Sequence, residues 1–130
     1  MKIKFRTLLI IWIVVMFTVS SIPDLKIIPH WHFTWKDKIA HIAEYAILAL
    51  LFLLMLRQEN RIANRKRRLL TILCFGLLIS VIDELHQLFI PGRSTDFLDI
   101  VADFFGIVIM AFIFDKIQNH RFRLELERNR

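Results

Sequence analysis

The sequence predicts an all-α, polytopic membrane protein, in which a single domain over residues 1–130 forms a four-transmembrane-helix bundle. Hydrophobic residue types make up 56% of the chain, and they fall into four long blocks instead of recurring at the spacing of one helix face. Glycines and prolines number only three each, and a lone cysteine, Cys74, excludes an intramolecular disulfide. This composition excludes disordered, collagen-like and disulfide-framework proteins.

The four apolar blocks are predicted to be helices, because backbone groups in lipid must be hydrogen-bonded within their own segment. A helix needs roughly 17–25 residues to cross the hydrocarbon core. We therefore expect helices over about residues 5–22, 38–57, 69–90 and 96–116. The first block, with basic residues before it and small residues after it, is also similar to a cleavable signal peptide. Its removal would leave the orientation of the other three helices unchanged.

The positive charges predict the orientation. Fourteen of the 18 Lys and Arg residues lie at the N-terminus, between the second and third blocks, or in the tail. By the positive-inside rule, these three regions, including both chain termini, are cytoplasmic. The net charge of +6 then follows from topology and attraction to anionic lipid headgroups. We expect the lipid bilayer as a partner and no nucleic acid, since no groove-reading element or aromatic platform accompanies these charges.

Acidic side chains concentrate at the opposite, outer ends of the predicted helices. Helical spacing places these acids, together with other polar side chains, in one stripe on each of the last three helices. The stripes are Asp37, His41, Glu44 and Tyr45; then Ser80, Asp83, Glu84 and Gln87; then Asp96, Asp99 and Asp103. A charge at the bilayer centre costs about 2.5–3.5 kcal/mol on insertion scales. The three stripes are therefore expected to face one another and to form a polar cleft that opens outward.

The residue types in this cleft suggest acid–base chemistry. Asp37 and His41 are the predicted acid–base pair. Asp83 and Glu84 are adjacent carboxylates, and a like-charged neighbour raises the pKa of a carboxyl group. Arg93, after the predicted Pro-Gly turn, lies at the mouth as an anion clamp. Asp96 is expected either to cap the fourth helix or to serve the site. The predicted catalytic residues are Asp37, His41, Asp83 and Glu84, and the predicted substrate-binding residues are Gln87, Arg93 and Tyr45.

A divalent metal is the one cofactor that this residue set suggests. Oxygen-rich ligation suits Mg²⁺ or Mn²⁺, and an imidazole keeps Zn²⁺ open, although no HExxH or cysteine pattern supports zinc. The candidate ligands are His41, Asp83, Asp99 and Asp103.

Two linked motifs stand on the second and third predicted helices. They read Asp37-x₃-His41-x₃-Tyr45 and Asp83-Glu84-x₂-Gln87-x₃-Pro91-Gly92-Arg93, and Asp99 and Gly106 follow. Together they resemble the VanZ-like family of small bacterial integral membrane proteins. That family usually has Asn four residues after the aspartate that opens the last helix, where this chain has Asp103. The resemblance implies a bacterial cytoplasmic membrane location and a link to teicoplanin-type glycopeptide resistance.

Three functional hypotheses follow. The first is action at the outer leaflet on a cell-envelope lipid, glycan or peptidoglycan-related substrate. The second is a module that binds or transports a small molecule or ion. The third is a structural envelope protein whose polar stripes hold the bundle together. Whether the protein is an enzyme, which substrate it takes, its oligomeric state, and an effect of this copy on antibiotic susceptibility stay open at the level of the sequence.

Overall fold

The computed structural model describes residues 4–23, 35–59, 64–93 and 95–128. Within these residues the fold is all-α, as predicted, and its helices are α1 (Phe5–Ser20), α2 (Trp35–Gln58), α3 (Arg65–Gln87) and α4 (Phe97–Arg128). The last helix continues well past the predicted end at 116, because the charged tail forms further helical turns. The third begins at Arg65, since Asn64 caps it by accepting hydrogen bonds from the main-chain N–H groups of Lys66 and Arg67.

The helices alternate in direction, which defines two ends of the bundle. At one end the main-chain N–H of Phe5 donates to Gln58 Oε1 at 3.1 Å, so the start of α1 meets the end of α2. At the other end Ser21 Oγ lies 2.8 Å from His86 Nε2, so the ends of α1 and α3 meet. We call the end where α2 and α4 begin the polar end, and the opposite end, with the exposed Arg and Lys residues at the start of α3, the basic end.

Helix α2 lies at the centre of the bundle, where it packs most extensively on α4 and also contacts α1 and α3. The contact between α2 and α4 depends on Gly106. A Cβ there would collide with the carbonyl oxygen of Ile42 and lie 3.1 Å from the main-chain nitrogen of Ala46. Because neither backbone atom can move aside, only glycine allows this approach. It brings the first turns of α2 and α4 close enough for their polar side chains to meet.

Three of the helices are long and apolar enough to cross a membrane, over Asp37–Gln58, Arg65–Gln87 and Phe97–His120. Helix α1 is apolar but shorter, at 16 residues, or about 24 Å of helix. The outer surfaces carry many exposed large apolar side chains, among them Ile10, Val14, Leu78, Phe105 and Phe112. Such a surface matches a lipid environment, so the chain is a multi-pass membrane protein.

Candidate functional site

The three polar stripes meet at the polar end, where they form what we call the polar cluster. Asp103, from the stripe on α4, connects it to the stripes on α2 and α3. Its Oδ1 lies 2.9 Å from Nδ1 of His41 on α2, and its Oδ2 accepts a 2.6 Å hydrogen bond from Ser80 Oγ on α3. All three residues are buried, with Asp103 only 1% exposed. A buried carboxylate with both oxygens bonded keeps a fixed geometry. The arrangement thereby holds the His41 ring in one orientation.

The other nitrogen of His41 lies near Asp99 and Asp37, and we call this part of the cluster, where the Asp37 side chain is exposed, its mouth. Its Nε2 lies 3.7 Å from Asp99 Oδ1, which is too far for a hydrogen bond. When Nδ1–H donates to Asp103, Nε2 is left to accept or release a proton. This is the arrangement by which a carboxylate prepares an imidazole for acid–base work. The predicted partner Asp37 lies one turn before His41, with its side chain 53% exposed at the mouth.

Lys38 is a further member of this group of polar residues, and the sequence reasoning did not assign it to the site. Its ammonium donates to Asp96 Oδ2 at 2.6 Å and to Asp99, and it lies 3.8 Å from Asp37 Oδ2. Its side chain is only 12% exposed. The sequence offered a signal, because Lys38 precedes His41 by three residues and so lies on the same face of α2.

Asp96 closes the mouth and caps α4, as expected. Its Oδ1 accepts from the main-chain N–H of Leu98 at 2.9 Å, and its own N–H donates to Glu84 Oε2 at 3.0 Å. The hydrogen bond from Lys38, followed by that from the Leu98 N–H, holds the pKa of Asp96 below its usual value. Asp96 therefore combines the capping role and a role in the cluster.

A second layer of polar groups lies beside this network and is less completely bonded. Gln87 Nε2 is 3.4 Å from Asp83 Oδ2, a long hydrogen bond. In the described part of the chain, buried polar atoms without a hydrogen-bond partner include Tyr45 Oη, Asp83 Oδ1 and Glu84 Oε1. Native proteins rarely leave such atoms unsatisfied, so each is a position for a water or a ligand atom.

Arg93 lies at the polar end but does not contact a carboxylate of the cluster. Its Nε donates to the carbonyl of Ile22 at 3.2 Å, and an Nη donates to that of Val19 at 3.4 Å. The turn before it has the predicted Pro-Gly form, with Gly92 at a φ of 83°. Arg93 therefore ties the connection between α3 and α4 to the end of α1.

One group of described residues has the geometry to hold a metal ion. Asp37, His41 and Asp99 each offer a ligand atom, and these atoms lie within 4.8 Å of one another. Asp83 and Asp103, the other two predicted ligands, are not in this group. The Oδ1 of Asp99 is also the oxygen that the Lys38 ammonium contacts, so a metal ion would compete with a cation that the chain itself supplies.

The acidic and histidine side chains of the segment between α1 and α2, which are Asp24, His30 and His32, lie outside the described residues. Glu44 is half-buried on α2, one turn after His41. His86 lies apart from the cluster, where its Nε2 is 2.8 Å from Ser21 Oγ and its ring contacts that of Phe17.

Comparisons with known proteins agree with the motifs. A search of curated proteins and of solved structures finds no match to this chain. The family model described as VanZ/LLP1 matches residues 5–118, which include all of the polar cluster. On the strength of that match over most of its length, the chain belongs to the VanZ/LLP1 family.

Proposed function

We propose that the chain lies in the bacterial cytoplasmic membrane as a four-span protein, with both termini cytoplasmic and the polar cluster facing outward. The distribution of Lys and Arg supports this orientation. The contacts of α1 support the fourth span, because it reaches from Gln58 at the basic end to His86 at the polar end. Its indole at Trp12 also donates to the carbonyl of Glu44, which ties it to the middle of α2.

The function that the geometry supports best is acid–base action on a cell-envelope lipid, glycan or peptidoglycan-related substrate at the outer leaflet. One observation carries this proposal, the chain of contacts from Ser80 through Asp103 to His41. It holds the imidazole in place, with the carboxylates of Asp37 and Asp99 near its other nitrogen. Placement of this kind is what general acid–base catalysis requires of a histidine.

Each of the remaining site residues has a role in this mechanism. His41 Nε2 takes a proton from a substrate hydroxyl or a water, and Asp103 stabilises the imidazolium that forms. Asp37, exposed at the mouth, contacts the substrate as it enters. Lys38 holds Asp99 beside Nε2.

A second group of residues binds the substrate in this proposal. The oxygens of Tyr45, Asp83 and Glu84 that have no hydrogen-bond partner bind substrate hydroxyl or amine groups. Gln87 orients Asp83 through its hydrogen bond.

The charge of the cluster favours neutral or cationic groups of the substrate. Seven carboxyl groups belong to it, on Asp37, Glu44, Asp83, Glu84, Asp96, Asp99 and Asp103, while its basic groups are the ammonium of Lys38 and the imidazole of His41. An anionic group at the mouth meets repulsion unless Arg93 leaves the carbonyls that it now contacts. Hydroxyl-rich glycans and amine-bearing envelope lipids match these acceptors.

The test compares His41→Gln with His86→Gln in a bacterial host. His86 is a matched control, since it lies at the same end but bonds to Ser21 outside the cluster. Envelope lipids and lipid-linked precursors are profiled by mass spectrometry, with teicoplanin susceptibility measured in parallel. We expect the wild type to change the abundance of at least one envelope species. His41→Gln loses that change at an unaltered melting temperature, and His86→Gln keeps it. A profile that the wild type leaves identical to the empty host contradicts the proposal.

Binding of a small molecule or ion is the second candidate, favoured by the unpartnered Tyr45, Asp83 and Glu84 atoms. Transport through a single chain is disfavoured. From Asp103 to Asp115 is about 18 Å along α4, and in the described part of the chain the side chains buried between these levels are apolar, including Phe52, Leu53, Ile72, Ile107 and Ala111. Metal analysis of the purified protein tests the ion variant, and a stoichiometric Mg²⁺, Mn²⁺ or Zn²⁺ would support it.

A further inference from the structure

We propose that the outer groove between α2 and α3 binds one acyl chain of an anionic phospholipid, with the lipid phosphate held by Lys66 and Arg67. The groove is a lateral cavity of about 430 Å³, and it is lined by Phe52, Leu70, Thr71, Cys74, Phe75 and Leu78. It exists because α2 and α3 pack on each other only sparsely, while both pack well on α4. It lies apart from the polar cluster.

The groove is apolar along its length, including the position where a hydroxyl lines it. Thr71 Oγ1 donates to the main-chain carbonyl of Arg67 at 2.8 Å, so the hydroxyl is satisfied within the helix. Phe52 and Phe75 stack with ring centroids 4.2 Å apart and form the floor. A surface of this kind offers no hydrogen-bonding group to a polar ligand, and it fits a hydrocarbon chain.

Two cations continue the groove toward the basic end. Lys66 and Arg67 precede Leu70 and Thr71 by four residues, so they lie one helical turn above them on the same face of α3. Both are exposed. Their neighbours Arg65 and Arg68 instead pair with Asp115 on α4. Arg65 and Arg68 thus neutralise the buried carboxylate of Asp115, and Lys66 and Arg67 face the groove.

The length of the groove indicates a lipid of a single leaflet. Arg67 and Leu78 are eleven residues apart, or about 16 Å along the helix, which is about half of the roughly 30 Å hydrocarbon core. A phosphate at Arg67 therefore places an acyl chain of ordinary length over Leu70, Cys74 and Leu78. Two adjacent cations select an anionic headgroup over a zwitterionic one.

Native mass spectrometry of the purified full chain tests the site, with phosphatidylglycerol and phosphatidylcholine of identical acyl chains as probes. We expect the wild type to retain phosphatidylglycerol several-fold better. Lys66→Gln with Arg67→Gln abolishes the preference, and Lys116→Gln, an exposed cation on α4, preserves it. Cys74→Trp fills the groove and lowers retention of both lipids. Melting temperatures confirm that each variant is folded.

Two results would overturn the proposal. One is a wild type without preference, or a preference that survives removal of both cations. The other is a dimer whose abundance falls in Cys74→Trp while lipid retention stays constant, which would assign the groove to a second copy of the chain. Neither result bears on the acid–base proposal, since none of the substituted residues belongs to the polar cluster.

Discussion

His41 and Asp103, 62 residues apart in sequence, meet inside the bundle with Nδ1 2.9 Å from Oδ1. Neither residue has an alternative partner in water, because both are buried. Their contact joins α2 to α4 at the level where Gly106 lets the two backbones approach. The geometry of the site and the close packing of α2 on α4 are consequently one feature of the molecule.

Asp103→Leu is expected to destabilise the protein by about 1–3 kcal/mol relative to Asp103→Asn. Leucine leaves His41 and Ser80 without their buried partner, whereas an Asn side chain accepts from one and donates to the other. Denaturant unfolding in detergent measures the difference. Function should follow the same order, because Asn can keep contacts with both residues and so keep the His41 ring in place. Equal stability of the two variants would show that the contact is dispensable.

Lys38→Met should cost about 3 kcal/mol, because it leaves the carboxylate of Asp99 buried without its cation. The matched control is the double variant Lys38→Met with Asp99→Asn, which removes both charges and should recover most of the loss. Calorimetric melting of the wild type, the two single variants and the double variant measures the coupling between the two sites. Additive losses in the double variant would contradict a direct ion pair.

Gly106→Ala is expected to destabilise the bundle more than Gly76→Ala, by about 1–3 kcal/mol. A Cβ at Gly106 meets the backbone of Ile42, which cannot move without separating α2 from α4. A Cβ at Gly76 meets the end of the Ile107 side chain, which can change rotamer. Melting temperatures of the two variants rank them, and a more damaging Gly76→Ala would place the critical contact at α3 instead.

The contribution of Asp96 should depend on pH. Lys38 lowers the folded-state pKa of Asp96, so the ionised form stabilises the fold at pH values above the ordinary aspartate pKa of about 3.9. The stabilisation is lost as the pH falls through the lowered folded-state value. The difference in melting temperature between wild type and Asp96→Asn should therefore be full at pH 7 and close toward pH 3. In a Lys38→Met background we expect a smaller difference at every pH.

At the basic end, Arg68→Gln should destabilise more than Arg65→Gln. Both guanidinium groups contact Asp115, but the Arg68 side chain is 17% exposed and that of Arg65 is 63% exposed. Exposed ion pairs contribute about 0–1 kcal/mol, and partly buried ones contribute more. Arg68 also lies over the Phe114 ring, at 5.9 Å from its centroid. Neither variant should alter the envelope profile, since both act far from His41, and chemical unfolding measures the two losses.

Much of this architecture was accessible from sequence because lipid restricts the alternatives. Uncharged blocks of membrane-spanning length have to be helices, so the all-α class followed from composition and patterning. The stripes on α2, α3 and α4 followed from the helical period, and the bundle does bring His41, Ser80 and Asp103 together. The pairing within the stripes was not accessible, because periodicity gives the face of a residue and not the partner across the interface.

Lys38 and Arg93 show where that boundary lies. Both are cations at the polar end, and their positions in the sequence give equal reason to assign either one to the carboxylates. The register between α2 and α4 places Lys38 against Asp96 and Asp99. Arg93 instead donates hydrogen bonds to the carbonyls of Val19 and Ile22.

The sequence alone determined that this chain forms apolar helices for a membrane and gathers most of its acids at one end, since hydropathy and helical spacing are properties of each segment by itself. Only the tertiary structure decided which acid holds His41, which cation holds Asp99, and which polar atoms stay open. Those outcomes depend on the distance and rotation between helices. Between α2 and α4 the close approach is possible because Gly106 has no side chain to meet the backbone of Ile42, a contact between residues that lie far apart in the chain.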